Sequence, residues 1–591
     1  MMKIFKLGIL LILLINSGYS QQYGNFKSIH QEQLEYYNQL GNSTADFYES
    51  SIKHSEKSFT RSGCNLNKVV YGWHPYWVGS VFYNYDWNLL SHFSFFSYEV
   101  NPIDGEPITT HGWSTSAAVD SALASGNTKV TLTVTLFSDH ATFFSSTTSQ
   151  QTLISNLINL VQSRGAHGVN IDIEGLPSAY KIDFSYFMVN LANQMHAAIP
   201  GSEVSTVLYA VDWSNVFDFS LMEPAVDHYI VMGYAYYYQG SSNTGPCDPL
   251  YHFGSNYNYS LSRSITYYLD KGCPADKLIM GLPYYGYQWP TSSLNVPSST
   301  TGSGTAKTYK QVKNNVSGFY SSANHQYDQD SYTDIYTFND NGFQQCFITK
   351  ENAFRKRLEH IERSGIGGIG IWALGYDDGY NDLWDGINDY LTDCYVDSCN
   401  GTIHDFGGPY KDYYDDEDYT WTINPDSATS LDIDFTFFDV ELNYDYLYIY
   451  DGLDINSPQI TGSPFTGLNS PGSFTTSTGA VTFRFYSDGA TVNPGFEANY
   501  TCSYDQSVTI LEKDVDFILY PNPAKDVLNF KINNWIDKEG QILIYDASGR
   551  IVKTINFLNK EIAISIADLE VGYYLLELNS IHQKVLSFIK K

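Results

Sequence analysis

The chain has 591 residues, which is too long for one hydrophobic core and predicts about three or four domains. Its 64 acidic and 33 basic residues give a formal net charge of −31, which argues against nucleic acid or an anionic membrane surface as a partner. The 50 tyrosines, 34 phenylalanines and 10 tryptophans offer many aromatic faces, which suit sugars better than charged ligands.

The first residues predict export. Lys3 and Lys6 precede the apolar run 7–15, and small residues follow at 18–20, so residues 1–20 are typical of a signal peptide. A leader segment of uncharacterised structure is expected at 21–66, and no later segment is apolar enough to predict a transmembrane helix. The seven cysteines lack the paired spacings of a zinc site. Disulfides are therefore expected, with the pairing left open and at least one cysteine outside any intrachain pair.

Residues 67–392 predict an α/β fold, a (β/α)₈ TIM barrel, because short β-rich runs alternate with helix-like stretches. The eight predicted strands are 69–74, 92–98, 129–136, 168–174, 203–210, 228–234, 278–285 and 367–372. A polar insertion at about 289–346, between strands seven and eight, is expected to form a wall beside the site. Two all-β sandwich domains are predicted to follow, at 393–503 and 516–591, with a linker at 504–515.

The fourth predicted strand places polar side chains on alternate residues. Asn170, Asp172 and Glu174 share one face, and the three residues between them are apolar. Such alternation alone is most typical of a sheet with one wet face. The segment, however, follows a helix-like run at 153–163 and ends in a turn at 175–177. The two acids therefore fall at the carboxyl end of a barrel strand, where barrels of this kind carry their chemistry.

Four segments in chain order resemble glycoside hydrolase family 18. Residues 167–174 are similar to its fourth-strand signature, usually Asp-Gly-x-Asp-x-Asp-x-Glu, and 232–234, 281–286 and 367–374 look like its sixth-, seventh- and eighth-strand elements. The resemblance implies a retaining mechanism in which the 2-acetamido group of the substrate is the nucleophile and no cofactor takes part in catalysis.

The resemblance also implies the roles of individual residues. Glu174 would be the general acid and base, Asp172 would orient the acetamido group, and Tyr234 would donate its hydroxyl to that group. The implied substrate-binding residues are Asn170, Met232, Tyr284 and Trp372, with the Trp372 indole as the floor of the cleaved subsite. Taken singly, Tyr234 and Trp372 are more typical of a packed core, and Met232 of simple packing.

Several positions depart from the family pattern. His167 and Asn170 replace two acids, Ala235 stands where an acid often follows Tyr234, and Tyr287 stands where an arginine often occurs. Tyr209, Asp212 and Tyr236 are candidates to replace the missing sugar contacts, although a structural role is the favoured interpretation for each.

Two further resemblances concern the β-rich regions. Residues 399–502 resemble a CUB domain, which implies a Ca²⁺ site at Glu441, Asp445 and Asp488, with ordinary solvated loop acids as the alternative. Residues 520–524, 549–550 and 572–574 resemble the C-terminal sorting domain of the type IX secretion system, whose machinery is then a partner.

The sequence thus predicts a secreted, chitinase-like hydrolase of β-linked N-acetylglucosamine polymers. Chitin, peptidoglycan and the chitobiose core of N-glycans all present the required acetamido group and remain alternatives as substrate. Two other hypotheses are a non-catalytic glycan-binding lectin on the same barrel and adhesion through the CUB-like domain.

Overall fold

The computed structural model describes residues 27–52, 64–255, 259–395, 397–409, 411–504, 517–532, 540–546, 550–557, 559–579 and 584–591. The predicted signal peptide, and the predicted linker apart from Tyr504, lie outside these residues. The chain divides into two compact units, Met1–Ser503 and Tyr504–Lys591.

Eight parallel strands close into a barrel, which confirms the predicted (β/α)₈ fold. The strands are Val69–Pro75, His92–Val100, Lys129–Leu136, Gly168–Ile173, Glu203–Leu208, His228–Met232, Leu278–Pro283 and Gly368–Trp372. A short strand, Pro107–Thr109, pairs with the second of them. Helices surround the barrel at Ala117–Ser125, His140–Phe144, Thr147–Arg164, Lys181–Ala198, Phe219–Met222, Leu261–Asp270, Glu351–Ser364 and Asp382–Tyr390, and a short helix, Tyr309–Lys313, belongs to the insertion.

The fourth and sixth barrel strands end slightly earlier than the sequence predicts. They end at Ile173 and Met232, so Glu174 and Tyr234 lie just beyond the last paired residues. Both side chains therefore stand at the mouth of the barrel, the end at which barrel enzymes assemble their sites.

The insertion forms a five-stranded antiparallel sheet. Its strands are Tyr285–Thr291, Thr305–Thr308, His325–Asp328, Thr333–Asn339 and Phe343–Ile348. It begins before the predicted residue 289 because its first strand follows the seventh barrel strand after a single residue, Tyr284.

Two helices precede the barrel in the region predicted only as a leader. We call Ile29–Gln39 α1 and Ala45–Ser51 α2. Ser28 caps α1, since its Oγ accepts a hydrogen bond from the Gln31 amide at 3.1 Å. α2 packs against a 3₁₀ segment at Tyr76–Asn84. Within the described residues, no helix combines the length and the apolar character needed to cross a bilayer.

The region after the barrel is a two-sheet sandwich, as the sequence predicts. One sheet holds Asn400–His404, Ser430–Asp439, Ser473–Thr475 and Gly495–Ser503, and the other Asp418–Ile423, Tyr446–Tyr450 and Val481–Tyr486. Disulfides join Cys399 to Cys502 within the sandwich and Cys64 to Cys394 across the two ends of the barrel. Cys247, Cys273 and Cys346 are buried and unpaired.

The C-terminal unit also contains two antiparallel sheets around its own core. One sheet is formed by Phe517–Tyr520, Val527–Ile532 and Glu561–Ser565, and the other by Gly540–Tyr545, Ile551–Phe557, Gly572–Asn579 and Lys584–Lys590.

Candidate active site at the mouth of the barrel

The structure brings Asp172, Glu174, Tyr234 and Trp372 together at the carboxyl ends of the fourth, sixth and eighth strands. Asp172 and Trp372 have no exposed surface, and Tyr234 and Glu174 are 3% and 7% exposed. Met232, also buried, lies two residues before Tyr234 at the end of the sixth strand. The strand pleat explains the grouping, because residues two apart on a strand share a face.

Glu174 lies in an environment that opposes its ionisation. Burial and the charge of Asp172 raise the pKa of Glu174 to about 7, even though hydrogen bonds from His30 and Ser28 act in the opposite direction. Asp172 Oδ1 has no hydrogen-bond partner within the described part of the chain. Burial and the two nearby carboxylates hold the pKa of Tyr234 well above its ordinary value, so this hydroxyl keeps its proton.

Asn170 lies deeper in the barrel. Its Oδ1 accepts a hydrogen bond from Trp73 Nε1 at 2.9 Å, and its Nδ2 donates one to Ser205 Oγ at 2.9 Å. Both polar atoms of the amide are thus held by the barrel interior. The proposed contribution of Asn170 to substrate binding stays a prediction.

Tyr284 is joined to the candidate site through its backbone, because the Tyr284 amide donates a hydrogen bond to the Trp372 carbonyl at 2.7 Å. Its ring packs against Phe354 of the covering helix at a centroid distance of 5.8 Å, whereas the ring of Tyr285 lies 6.2 Å from that of Tyr234. Of these two adjacent tyrosine rings, that of Tyr285 is therefore the one beside Tyr234. The predicted substrate contact of Tyr284 is untested.

Structural contacts are made by His167, which departs from the family pattern, and by the three candidates to replace the missing sugar contacts. His167 Nδ1 accepts a hydrogen bond from the Val130 amide at 2.9 Å. The Tyr209 hydroxyl bonds backbone groups of Ile173 and Leu176, Asp212 accepts from the Val216 amide, and the Tyr236 hydroxyl bonds Ser260 and Ser264. These bonds agree with the structural interpretation of Tyr209, Asp212 and Tyr236.

Sequence reasoning missed two residues that touch the candidate catalytic groups. His30 of α1 places Nδ1 2.8 Å from Asp172 Oδ2 and Nε2 2.8 Å from the Tyr234 hydroxyl. Ser28 Oγ donates a hydrogen bond to Glu174 Oε1 at 2.8 Å. The pattern of residues 28–39 signals a capped helix, but no local pattern indicates what this helix contacts.

The three acids of the predicted calcium site are also brought together. One carboxylate oxygen each from Glu441, Asp445 and Asp488 lies within 4.8 Å of the others. Glu441 Oε2 is buried without a hydrogen-bond partner in the described residues, and Asp445 Oδ1 accepts from the Asp488 amide at 2.8 Å. Burial, together with the Asp488 charge, raises the pKa of Asp445. Clustered carboxylates with an unsatisfied oxygen fit a hard divalent cation.

Comparison with known proteins identifies the three regions. Residues 393–500 match the CUB domain, and residues 518–591 match the secretion system C-terminal sorting domain, which indicates export to the cell surface or the medium. Chitotriosidase-1 of Mus musculus is 26% identical over 253 residues, which cover 39% of this chain and 53% of that protein. A probable endochitinase of Caenorhabditis elegans is 26% identical over 256 residues, covering 39% of this chain and 40% of that protein.

The similarity thus spans about half the length of these relatives or less. Among solved structures, the group IV chitinase of Ostrinia furnacalis in complex with allosamidin is similar with a TM-score of 0.49 and 19% identity, covering 55% of this chain and 98% of that chain. The match to the model of glycosyl hydrolases family 18 runs from residue 69 to residue 377, more than half of the chain, and the chain belongs to this family.

Proposed function

We propose that the protein is a secreted retaining glycoside hydrolase that cleaves β-linked N-acetylglucosamine polymers of the chitin type. The observation that carries the proposal is the convergence of Glu174, Asp172, Tyr234 and Trp372 at the mouth of the barrel. This chemistry requires a general acid, a partner carboxylate, a hydroxyl donor and an aromatic floor.

In the first step, the carbonyl oxygen of the substrate's 2-acetamido group attacks the anomeric carbon. Glu174 gives its proton to the glycosidic oxygen, the bond to the leaving sugar breaks, and a cyclic oxazolinium ion forms. In the second step, water attacks the anomeric carbon and returns a proton to Glu174, so the anomeric configuration is retained. Asp172 accepts from the acetamido N–H and stabilises the positive charge, while Tyr234 donates to the acetamido group.

The electrostatics of the site support this assignment. A general acid must hold a proton at the start of the cycle, and the raised pKa of Glu174 provides it at neutral pH and below. The Asp172 carboxylate two residues earlier opposes ionisation of Glu174 and favours the cation that develops on the substrate.

The names of the relatives support the substrate class. Chitotriosidase-1 and the probable endochitinase are chitin-directed by name. The sorting domain supports type IX secretion machinery as the export partner.

The decisive variant is Glu174→Gln, which keeps the size and polarity of the side chain but removes the transferable proton. We expect turnover of chitohexaose to fall by about 10²–10⁴-fold, since general acid–base catalysis contributes that much, while binding measured by calorimetry is retained. Glu106→Gln, at an exposed glutamate, is the matched control.

Mass spectrometry of the products from chitin, peptidoglycan and a chitobiose-core glycopeptide identifies the polymer that is cleaved. Unchanged turnover by Glu174→Gln would rule out its role. Binding without cleavage of all three polymers would support a lectin instead.

We also propose that Glu441, Asp445 and Asp488 bind Ca²⁺ in the CUB domain. The support is the clustering of their oxygens and the unsatisfied Glu441 Oε2. The ion would offset the mutual repulsion of the three acids and thereby stabilise the loops that carry them.

A further inference from the structure

The first turn of α1 occupies the proposed catalytic centre. His30 is fully buried and contacts the two groups that would hold the acetamido group, Asp172 through Nδ1 and Tyr234 through Nε2, each at 2.8 Å. Its Nδ1 also lies 3.4 Å from Glu174 Oε1, the atom that accepts a hydrogen bond from Ser28. Two residues at the start of this helix thus engage all three proposed catalytic side chains.

The aromatic floor of the site is covered as well. The imidazole of His30 lies on the Trp372 indole with ring centroids 3.8 Å apart and a 35° interplanar angle. Trp372 has no exposed surface. A pyranose ring would have to lie on the indole face that His30 covers.

The contact continues along the helix away from His30. Gln33 Oε1 accepts hydrogen bonds from Trp372 Nε1 at 3.2 Å and from the Tyr376 hydroxyl at 2.9 Å. Tyr37 stacks on Trp77 with centroids 4.6 Å apart and planes within 10° of parallel. At a helical rise of 1.5 Å per residue, these contacts cover roughly 10 Å beyond His30. α1 therefore covers a row of aromatic groups as well as the catalytic acids.

The second helix fixes this segment to the barrel wall. The Ala45 amide bonds the His111 carbonyl at 2.8 Å. Glu49 accepts hydrogen bonds from the Ser116 hydroxyl at 2.7 Å and from the Ala117 amide at 2.9 Å, at the start of a barrel helix. A carboxylate at a helix N-terminus is favourably placed. The segment is therefore bound specifically at both of its ends.

We propose that residues 27–52 are an autoinhibitory segment, in which His30 occupies the place of the substrate's acetamido group and blocks access to Glu174. The inference rests on the proposed function. Substrate and α1 compete for the same atoms of Asp172, Tyr234 and Trp372, so catalysis requires α1 to leave. A permanent structural role for α1 is incompatible with hydrolysis, because Asp172 has no surface left for a sugar.

The chemistry of His30 explains why this side chain fits. It lies between two carboxylates, where the proposed mechanism places the cationic oxazolinium ring, and it is a flat five-membered ring with two N–H donors when protonated. A group that resembles the charged intermediate binds a catalytic site more tightly than one that resembles the ground state. Because α1 belongs to the same chain as the site, its effective concentration there is high, which strengthens its binding.

The autoinhibitory segment can be released by cutting the chain between the segment and the barrel. Cys64 lies five residues before the first barrel strand, and its disulfide to Cys394 holds this part of the chain in place. A full-length protein in which residues 53–63 are replaced by the recognition sequence of a specific protease can be cut there after folding. The barrel stays intact, and the segment is held by its noncovalent contacts alone.

The test compares full-length chains carrying His30→Ala, Gln33→Ala or Gln39→Ala, the last at an exposed glutamine of the same helix. On chitohexaose we expect kcat/KM of His30→Ala to exceed that of the native chain by about tenfold or more, because the fraction of open molecules rises. Gln33→Ala should give a smaller increase and Gln39→Ala no change. Cutting the protease-sensitive chain, followed by dilution, should raise its activity by a similar factor.

Binding to the Glu174→Gln chain separates the two proposals. Calorimetry should show that chitohexaose binds more tightly to Glu174→Gln/His30→Ala than to Glu174→Gln. Equal affinities of these two chains for chitohexaose would overturn autoinhibition and leave the hydrolase assignment intact. The same conclusion would follow if the native chain is active and neither His30→Ala nor cutting increases that activity. A different result would be tighter binding of chitohexaose to Glu174→Gln/His30→Ala with no hydrolysis by any His30→Ala or cut chain. It would support blocking of the site by α1 and refute the assignment as a hydrolase.

Discussion

The charge state of His30 controls the strongest contacts of α1. Burial of the imidazole lowers its pKa, but the charges and hydrogen bonds of Asp172 and Glu174 outweigh that effect and raise the pKa of His30 to about 9. At neutral pH the ring is therefore a cation that donates from both nitrogens. Asp172 and Glu174 on the fourth strand and Tyr234 after the sixth are the ionisable groups that face His30, and its other ring neighbours are Trp73, Phe96 and Trp372.

This raised pKa predicts that the closed state weakens with increasing pH. A group whose pKa is higher in the closed state contributes its full stabilisation below the ordinary value of 6.5, and loses it as the pH rises through about 9. The Glu174→Gln chain removes the titration of Glu174 and also its share of the raised His30 pKa, so Asp172 alone supports the shift there. The apparent affinity of this chain for chitohexaose should increase above pH 6.5, by up to about tenfold per pH unit, over a window that ends below pH 9.

Calorimetric titrations across this pH window measure the effect. The Glu174→Gln/His30→Ala chain is the control and should show a flat profile. If the affinity of this control chain for chitohexaose still changes with pH, a group other than His30 is responsible.

At the level of elements, two barrel strands begin at glycines that approach a neighbouring strand. Gly168 and Gly368 both have φ of 153°, and a Cβ at these positions would lie 1.8 Å from Glu203 O and 2.0 Å from Val69 O. The fourth strand carries the two acids and the eighth carries Trp372. The close approach of backbones at the base of the barrel therefore sets the positions of the proposed catalytic side chains at its mouth.

Gly168→Ala should consequently reduce both stability and activity. The clash is with backbone atoms, which cannot rotate away, so we expect the free energy of unfolding to fall by about 3 kcal/mol in urea denaturation. Gly165→Ala is the control, because φ is 65° there and a Cβ at that position would meet no atom of the described residues within 4 Å. It should cost only about 1 kcal/mol, and equal losses for the two variants would argue against the backbone clash.

For the whole molecule, the barrel and the sandwich of the Met1–Ser503 unit each have their own disulfide. One disulfide joins the two ends of the barrel and the other joins the two ends of the sandwich. The acidic cluster at Glu441, Asp445 and Asp488 lies in the sandwich, whereas the proposed catalytic acids belong to the barrel. Stability of the sandwich and chemistry in the barrel should therefore respond to different variants.

Calcium is expected to stabilise the protein without entering catalysis. Saturating Ca²⁺, at about 100 times its Kd, should add about 2.7 kcal/mol to the stability of the folded sandwich, and chelation should remove that gain. Differential scanning calorimetry with and without chelator measures the effect. Asp445→Asn should abolish the response and Asp426→Asn, at an exposed aspartate of the same domain, should preserve it. A response that survives Asp445→Asn would place the ion elsewhere.

Local sequence patterns predicted the barrel fold and part of the candidate site. Alternation of polar and apolar residues in 168–174 placed Asn170, Asp172 and Glu174 on one face, and eight β-rich runs between helices predicted the barrel. These predictions succeed because strand and helix periodicities depend only on neighbouring residues. Tyr234 and Trp372 required the family resemblance, since a single aromatic residue has no periodicity of its own.

Only the tertiary structure decided what lies against these residues. It put Tyr285 rather than Tyr284 beside Tyr234, and it brought His30 to Asp172 across 142 positions of the chain. The sequence of α1 determines a capped helix and nothing about its partner, because contacts between distant segments depend on how the barrel closes around them. The sequence, together with its family resemblance, determined the candidate catalytic residues, whereas the packing of α1 against the mouth of the barrel decided that they are covered.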